Sequence, residues 1–260
     1  MITAADRPTT HAAWPAMLPS LVVAAVVIWA AATTETDWNR LGEAGPRILE
    51  FLGRMLPPDL SVMPEVARGL AETLRIAVLG TLGCVLASLV LGPLAAARLA
   101  PAWVHRPVRS LLALIRAIPL LLVAMLMVGA VGLGPLPGIL AVAVHATGML
   151  AKFYAEALDD VDVAPVAALE SAGATLLQRL RFAYWPQIAP VVLRDTIFRF
   201  ELNLRESLIL GIVGAGGIGF YIQTYVRSFQ YEKAATVTLA IAIVILLIEG
   251  ANGALRRWVS

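Results

Sequence analysis

Pro165-Val-Ala-Ala-Leu-Glu170-Ser-Ala-Gly173-Ala-Thr-Leu-Leu-Gln-Arg179-Leu-Arg181-Phe-Ala-Tyr-Trp-Pro186 lies between two apolar stretches, and its reading decides the fold. Ala167, Ala168 and Leu169 give one turn of strong helix former. Asp159, Asp160 and Asp162 precede it, where acids suit the positive end of a helix dipole. Gly173 lets the backbone leave helical geometry. Leu176, Leu177, Leu180 and Ala183 then recur at about helical spacing, with Arg179 on the other face, and Pro186 stops the run. The stretch predicts two short helices hinged at Gly173. By periodicity alone it is either a solvated amphipathic loop or a grip for another protein.

The flanks are membrane-grade. Of 260 residues 59% are hydrophobic and only 15% charged, with a mean hydropathy of +0.80. Soluble domains run nearer 25% charged, so the expected class is an all-α integral membrane protein. Crossing roughly 30 Å of hydrocarbon takes about 20 residues. Six runs qualify, at about 17–33, 74–98, 110–131, 136–156, 190–213 and 234–252. A polar stretch with Pro57-Pro58 fills 34–72, and 132–138 (Gly-Leu-Gly-Pro-Leu-Pro-Gly) reads as a tight turn. This divides the chain into an N-terminal span with a periplasmic segment, 1–69, and a transmembrane domain, 70–255, whose loop at about 157–189 carries the elbow. The absence of an internal repeat counts against an inverted-repeat secondary transporter.

Basic residues set the orientation. Arg98, His105, Arg106 and Arg109, then Arg179 and Arg181, then Arg256 and Arg257 fall on one side if both termini are cytoplasmic. Arg40, Arg47, Arg54 and Arg68 in the 34–72 stretch are outnumbered by acids. Ala30-Ala-Ala32 resembles a signal-peptide cleavage site, but the apolar core before it contains Trp29 and exceeds the usual h-region. A signal anchor in the inner membrane is expected. The single Cys84 excludes a disulfide framework, and His11, His105 and His145 show no metal-ligand spacing. A net charge of +2 gives no argument for nucleic acid.

Charges inside spans each cost about 2.5–3.5 kcal/mol at a helix centre. The fifth run holds Arg194, Asp195, Arg199, Glu201, Arg205 and Glu206, with Asn203 among them. Glu201 and Arg205 stand i,i+4, while Arg199, Asn203 and Glu206 share another face. Two readings stay open: a neutralised network locking the helix in place, or the polar wall of a translocation path for an oxyanion. His145, Lys152 and Glu156 form a similar stripe in the fourth run, as packing residues or as pathway lining. Arg116 either snorkels to the headgroups or serves a gate. Gly214-Ala-Gly216-Gly217-Ile-Gly219 satisfies G-x-G-x-x-G, but a charged membrane helix precedes it and position 239 is Leu, so a dinucleotide site is not expected. No Walker sequence occurs, and ATP chemistry must come from another chain.

On these residues the chain resembles the permeases of bacterial ABC importers. Their loop has the form E-A-A-x3-G, with a Pro thirteen residues after the Gly, as Gly173 and Pro186 stand here. The motif's Glu position falls on Ala167, and Glu170 is the carboxylate one helical turn on. The chain is most similar to the phosphonate and phosphite branch through Arg116-Ala-Ile-Pro119, Gly132-Leu-Gly-Pro135, His145 with Lys152 and Ala155-Glu-Ala-Leu158, Arg199-Phe-Glu-Leu-Asn203-Leu-Arg205, and Leu210 to Gly219. Leu120 departs from it, where the branch often has an acid.

The resemblance implies six helices in the type I importer permease fold, with Ala167, Ala168, Glu170, Gly173, Arg179 and Pro186 in an ATPase-coupling loop. It implies a pathway or gate at Arg116, His145, Lys152, Arg199, Glu201, Asn203, Arg205 and Glu206, with Gly214, Gly216, Gly217 and Gly219 at an outer gate. The expected partners are a second copy, two ATP-binding subunits that carry ATP and Mg, and a periplasmic substrate-binding protein. The expected cargo is a small phosphorus oxyanion. Two other classes remain: a proton-coupled secondary transporter using Glu201, Glu206 or His145, and a polytopic membrane enzyme, for which no nucleophile–base pair is visible.

Overall fold

The computed structural model describes residues 14–34 and 39–259. One compact unit runs up to Gly53 and another starts at Arg54. The first contains α1 (Trp14–Thr33) and nearly all of α2 (Asn39–Arg54). The second contains α3 (Met63–Ala95), α4 (Ala102–Ala117), α5 (Leu120–Val131), α6 (Pro135–Asp159), α7 (Val163–Ser171), α8 (Leu176–Arg179), α9 (Trp185–Leu210), α10 (Gly219–Arg227) and α11 (Tyr231–Val259). No strand occurs among the described residues.

α3 and α6 form the most extensive helix pair. They run parallel, and glycines on α3 allow the approach: a Cβ on Gly92 would stand 2.8 Å from Tyr154 Cβ, and one on Gly83 3.0 Å from Ala143 Cβ. The opposite face of α3 leaves Val78, Leu82, Leu86 and Leu89 exposed. A row of exposed branched side chains opposite a glycine seam is what a helix in hydrocarbon requires. α9 runs back against both partners. Tyr154 shares a 2.6 Å hydrogen bond with Thr196, and Asn203 Nδ2 donates to Thr81 Oγ1 at 2.9 Å.

Apolar clusters lie at three levels. Leu112, Leu150, Tyr154, Leu158, Tyr184 and Ile188 pack near the elbow, and Ile76, Val123, Val142 and Leu210 in the middle. Val66, Leu208, Ile218 and Val237 close the far end.

The predicted runs are helical, but the expected count of six spans is not met among the described residues: the apolar part of α1, Pro19–Thr33, is short, and α9 with its charges is not among the helices apolar enough to cross. α3, α6 and α11 are each long and apolar enough to cross a membrane, but the run 110–131 is not one helix. α4 and α5 meet at a 91° bend. Pro119 lacks an N–H and disfavours helical geometry at the residue before it, and Ile118 is indeed extended, at ψ 122°. α5 alone is about 18 Å long, too short to span. The second span also begins at Met63, well before 74. The 34–72 stretch, read as polar connector, contains α2 and the first turns of α3.

Candidate functional site

The elbow forms as two short helices hinged at Gly173, as predicted, but Pro186 does not stop the second, which continues through a π-helical turn into α9. Asp162 opens α7 by accepting from the Ala164 N–H at 3.0 Å. At its close, Gly173 N–H donates to the Glu170 carbonyl and Ala174 N–H to the Leu169 carbonyl, each at 3.0 Å. This is a Schellman termination, which needs a left-handed residue between the two donors' partners and the next turn. Gly173, at φ +77°, supplies it. Thr175 and Gln178 then start α8 with a reciprocal capping box. The five residues Leu180–Tyr184 form a single π-helical turn that leads into α9 with Pro186 in its first turn.

Glu170 and Arg179 meet across the hinge at 2.9 Å. Glu170, the carboxylate one turn beyond Ala167, is therefore paired within its own chain. Ala167 and Ala168 are exposed on α7. Of the predicted apolar repeat, Ala183 is buried and Leu180 half-buried, whereas Leu177 is 75% exposed and Leu176 about half. Phe182 is 62% exposed, with the Arg181 guanidinium 5.5 Å above its ring. The elbow thus presents an apolar tip.

Its base is locked to the bundle by a constellation the sequence did not reveal. Asp159, at the end of α6, accepts the backbone N–H groups of Ala97 (3.3 Å) and Arg98 (3.0 Å) and pairs with Arg109 at 2.5 Å. Arg109 Nε also donates to the Ala95 carbonyl at 2.7 Å, and Arg98 to the Val161 carbonyl at 2.5 Å. Arg98 and Arg109 look like topology markers in the sequence, and Asp159 like a helix-start acid. Gln187 closes the loop: its side chain accepts from Asp162 N–H at 2.9 Å and donates to the Ala183 carbonyl at 2.8 Å.

The charges of α9 divide into three groups, of which Arg194 and Asp195, paired at 3.0 Å, are the first. Arg199 is 3% exposed and pairs with Glu206 at 2.9 Å, two turns along the same helix, while its Nη1 lies 3.6 Å from Met149 Sδ. Asn203 is fully buried below them. Arg199 Nε, Asn203 Oδ1 and His145 Nδ1 are buried and have no hydrogen-bond partner among the described residues. His145 sits on α6 one turn from Met149, within electrostatic reach of Arg199 and Glu206 and beside the Ile118 backbone at the α4–α5 break. Glu201 and Arg205 form the third group. Their predicted i,i+4 contact is 3.7 Å, and Arg205 also reaches Glu249 on α11 at 3.0 Å, a partner no local spacing could indicate. Lys152 pairs with Glu156 at 3.2 Å on an open face of α6. Arg116 is exposed, and its Cγ packs against Gly148, where an added Cβ would stand 3.1 Å away.

At the other end of the bundle the glycine run is a buried, bent strap. Gly214, Gly216 and Gly217 all have φ near +80°. Gly134 N–H donates to the Gly214 carbonyl at 3.1 Å, and Ile218 N–H to Thr73 Oγ1 at 2.9 Å. A Cβ on Gly216 would stand 2.9 Å from Pro135 Cα, and one on Gly217 2.7 Å from Thr73 Oγ1. The run tightens the junction of α3, α6 and α9, and Gly219 opens α10.

Residues 88–260 match the family described as binding-protein-dependent transport system inner membrane component. The phosphite transport system permease protein PtxC of Stutzerimonas stutzeri is 41% identical over 213 residues, which cover 82% of this chain and 78% of that one. The phosphate-import permease protein PhnE of Mycolicibacterium smegmatis is 38% identical over 216 residues, 83% of this chain and 41% of its own. Among solved structures, the inward-facing MetNI methionine ABC transporter superposes with a TM-score of 0.67 over 78% of this chain and 99% of its own, at 23% identity, a likeness of fold.

Proposed function

This chain belongs to the family of binding-protein-dependent transport system inner membrane components, and on that premise we propose that it carries a small phosphorus oxyanion, phosphite or a phosphonate, across that membrane. It is the permease component of an ABC importer and not an enzyme; hydrolysis of ATP belongs to a separate subunit, and a binding protein brings the cargo. That membership decides against a proton-coupled secondary transporter.

Two copies line one path, both termini are cytoplasmic, and ATP with Mg stays on two ATPase subunits. Each ATPase subunit grips one elbow. Closure of the ATPase pair swings the α9 ends and converts an inward-open path to an outward-open one. Arg116, His145, Lys152 and the α9 groups line that path, and the glycine strap bounds its outer gate.

The observation that carries this reading is the elbow's division of labour. Leu177 and Phe182 stand exposed at the tip, while Asp159, Gln187 and the Glu170–Arg179 pair hold the base and hinge. An idle solvated loop has no need of an apolar tip on a braced frame; a grip that transmits force needs both. The substrate class draws its support from the phosphite permease relative.

Reconstitution of the permease with its ATPase and binding protein in proteoliposomes tests both levels. Phosphite uptake should require ATP and the binding protein. Uptake by this chain alone, driven by membrane potential, would overturn the coupling scheme, and a binding protein indifferent to phosphite and phosphonates would overturn the cargo.

A further inference from the structure

α2 has no place in the transport scheme, yet its two faces differ sharply. At about 100° per residue, Ile48, Leu49 and Leu52 fall on one side. Arg40, Glu43, Arg47, Glu50 and Arg54 fall on the other. Ile48 is 57% exposed, Leu49 71% and Leu52 48%. On the polar side Glu43 and Arg47 pair at 2.5 Å.

Where α2 ends is fixed. Arg54 lines a shallow pocket with Phe229, Gln230, Tyr231, Glu232 and Lys233, the residues that lead into α11. Just beyond, Asp59 N–H donates to the Glu232 carbonyl at 3.2 Å, and Thr236 Oγ1 donates to the Asp59 carbonyl at 2.8 Å. The charged start of a membrane helix marks headgroup level. So do Phe229 and Tyr231, an edge-to-face aromatic pair with centroids 6.2 Å apart. Leu56, Leu60 and Met63, around the start of α3, are exposed apolar residues as well. At the other end, five residues separate Thr33, where α1 closes, from Asn39, where α2 opens. A 16-residue helix is about 24 Å long, and such a connector reaches about 20 Å.

We propose that α2 is an interfacial helix, with Ile48, Leu49 and Leu52 seated in the headgroup–acyl boundary of the leaflet where α11 begins. Glu43, Arg47 and Glu50 then face water. The occupant of the apolar face is lipid, and because the polar face carries both signs it needs no anionic lipid. Only the naming of that leaflet as the outer one rests on the topology proposed above.

The test uses the full-length permease assembled with its ATPase in nanodiscs of phosphatidylethanolamine and phosphatidylglycerol. Single nitroxide labels are placed through Ile48→Cys, Leu52→Cys, Glu43→Cys and Glu50→Cys in a Cys84→Ala background. If that background fails to assemble, the native one serves, because Cys84 is fully buried. Collision with oxygen, which concentrates in lipid, is compared with collision with a water-soluble nickel chelate. The oxygen-to-nickel ratio should be at least about fivefold higher at 48 and 52 than at 43 and 50, and unchanged when phosphatidylglycerol is omitted. Shielding of 48 and 52 from both reagents would mean that protein covers the face, and free access of the nickel chelate would mean that water does; either overturns the proposal. Neither outcome touches ATP-dependent uptake, which tests the importer reading separately.

Discussion

At Gly173 a substitution acts on the backbone alone. Its φ is +77°, and apart from its chain neighbours nothing stands within 4 Å of where a Cβ would sit. Steric bulk is therefore tolerated and left-handed geometry is what the position demands. Asn adopts that geometry readily, so Gly173→Asn should be nearly silent. Gly173→Ala costs about 1–2 kcal/mol in the left-handed region, shifting the elbow's equilibrium roughly 5- to 30-fold. Gly173→Pro does more. The ring fixes φ near −65°, and the lost N–H removes the bond to the Glu170 carbonyl, adding about 0.5–1.5 kcal/mol. The assay is uptake per ATP hydrolysed in proteoliposomes, with co-purification of the ATPase as the docking readout. Coupling should fall in the order Asn, Ala, Pro, while the isolated ATPase is unaffected. If the loss instead follows side-chain volume, or if the Pro variant couples normally, the elbow is not the transmitting element.

Three further outcomes follow from the contacts. Removing Glu206 with Glu206→Gln leaves the buried Arg199 without its counter-charge, whereas Arg199→Met leaves a Glu206 side chain that is 30% exposed and can hydrate. The first should therefore lower the thermal stability of the purified complex more, by up to about 3–5 kcal/mol. The Glu170–Arg179 pair is exposed on its acid side, so a double-mutant cycle with Glu170→Gln and Arg179→Gln should give a coupling below about 1 kcal/mol, shrinking further in high salt. Asp159→Ala strands two backbone donors and Arg109, which should cost about 1–3 kcal/mol and raise amide exchange at residues 96–98, whereas Asp160→Ala should leave that exchange unchanged.

Much of this protein is legible from the chain. Membrane class, the helical runs and the elbow all follow from patterns within a few residues: hydropathy sustained over a span, Gly173 between two helix formers, Thr175 and Gln178 in capping register. Such features rest on short-range geometry that holds wherever the segment sits. The break at Ile118–Pro119 is local too. Pro119 signals it, but a long apolar run reads as one span when hydropathy alone sets the boundaries.

What the tertiary structure decided is which groups meet. Glu170 is engaged by Arg179, and Arg199 by Glu206 rather than by a neighbour one turn away. Arg205 reaches Glu249, 44 positions on, and Asp159 gathers Ala97 and Arg98 from the turn after α3 and Arg109 from α4. The Arg205 and Asp159 contacts depend on helix crossing and register, which close approach at glycines such as Gly83 and Gly92 on α3 helps to set. A one-residue rotation of α9 would exchange its partners while leaving its composition, spacing and hydropathy the same.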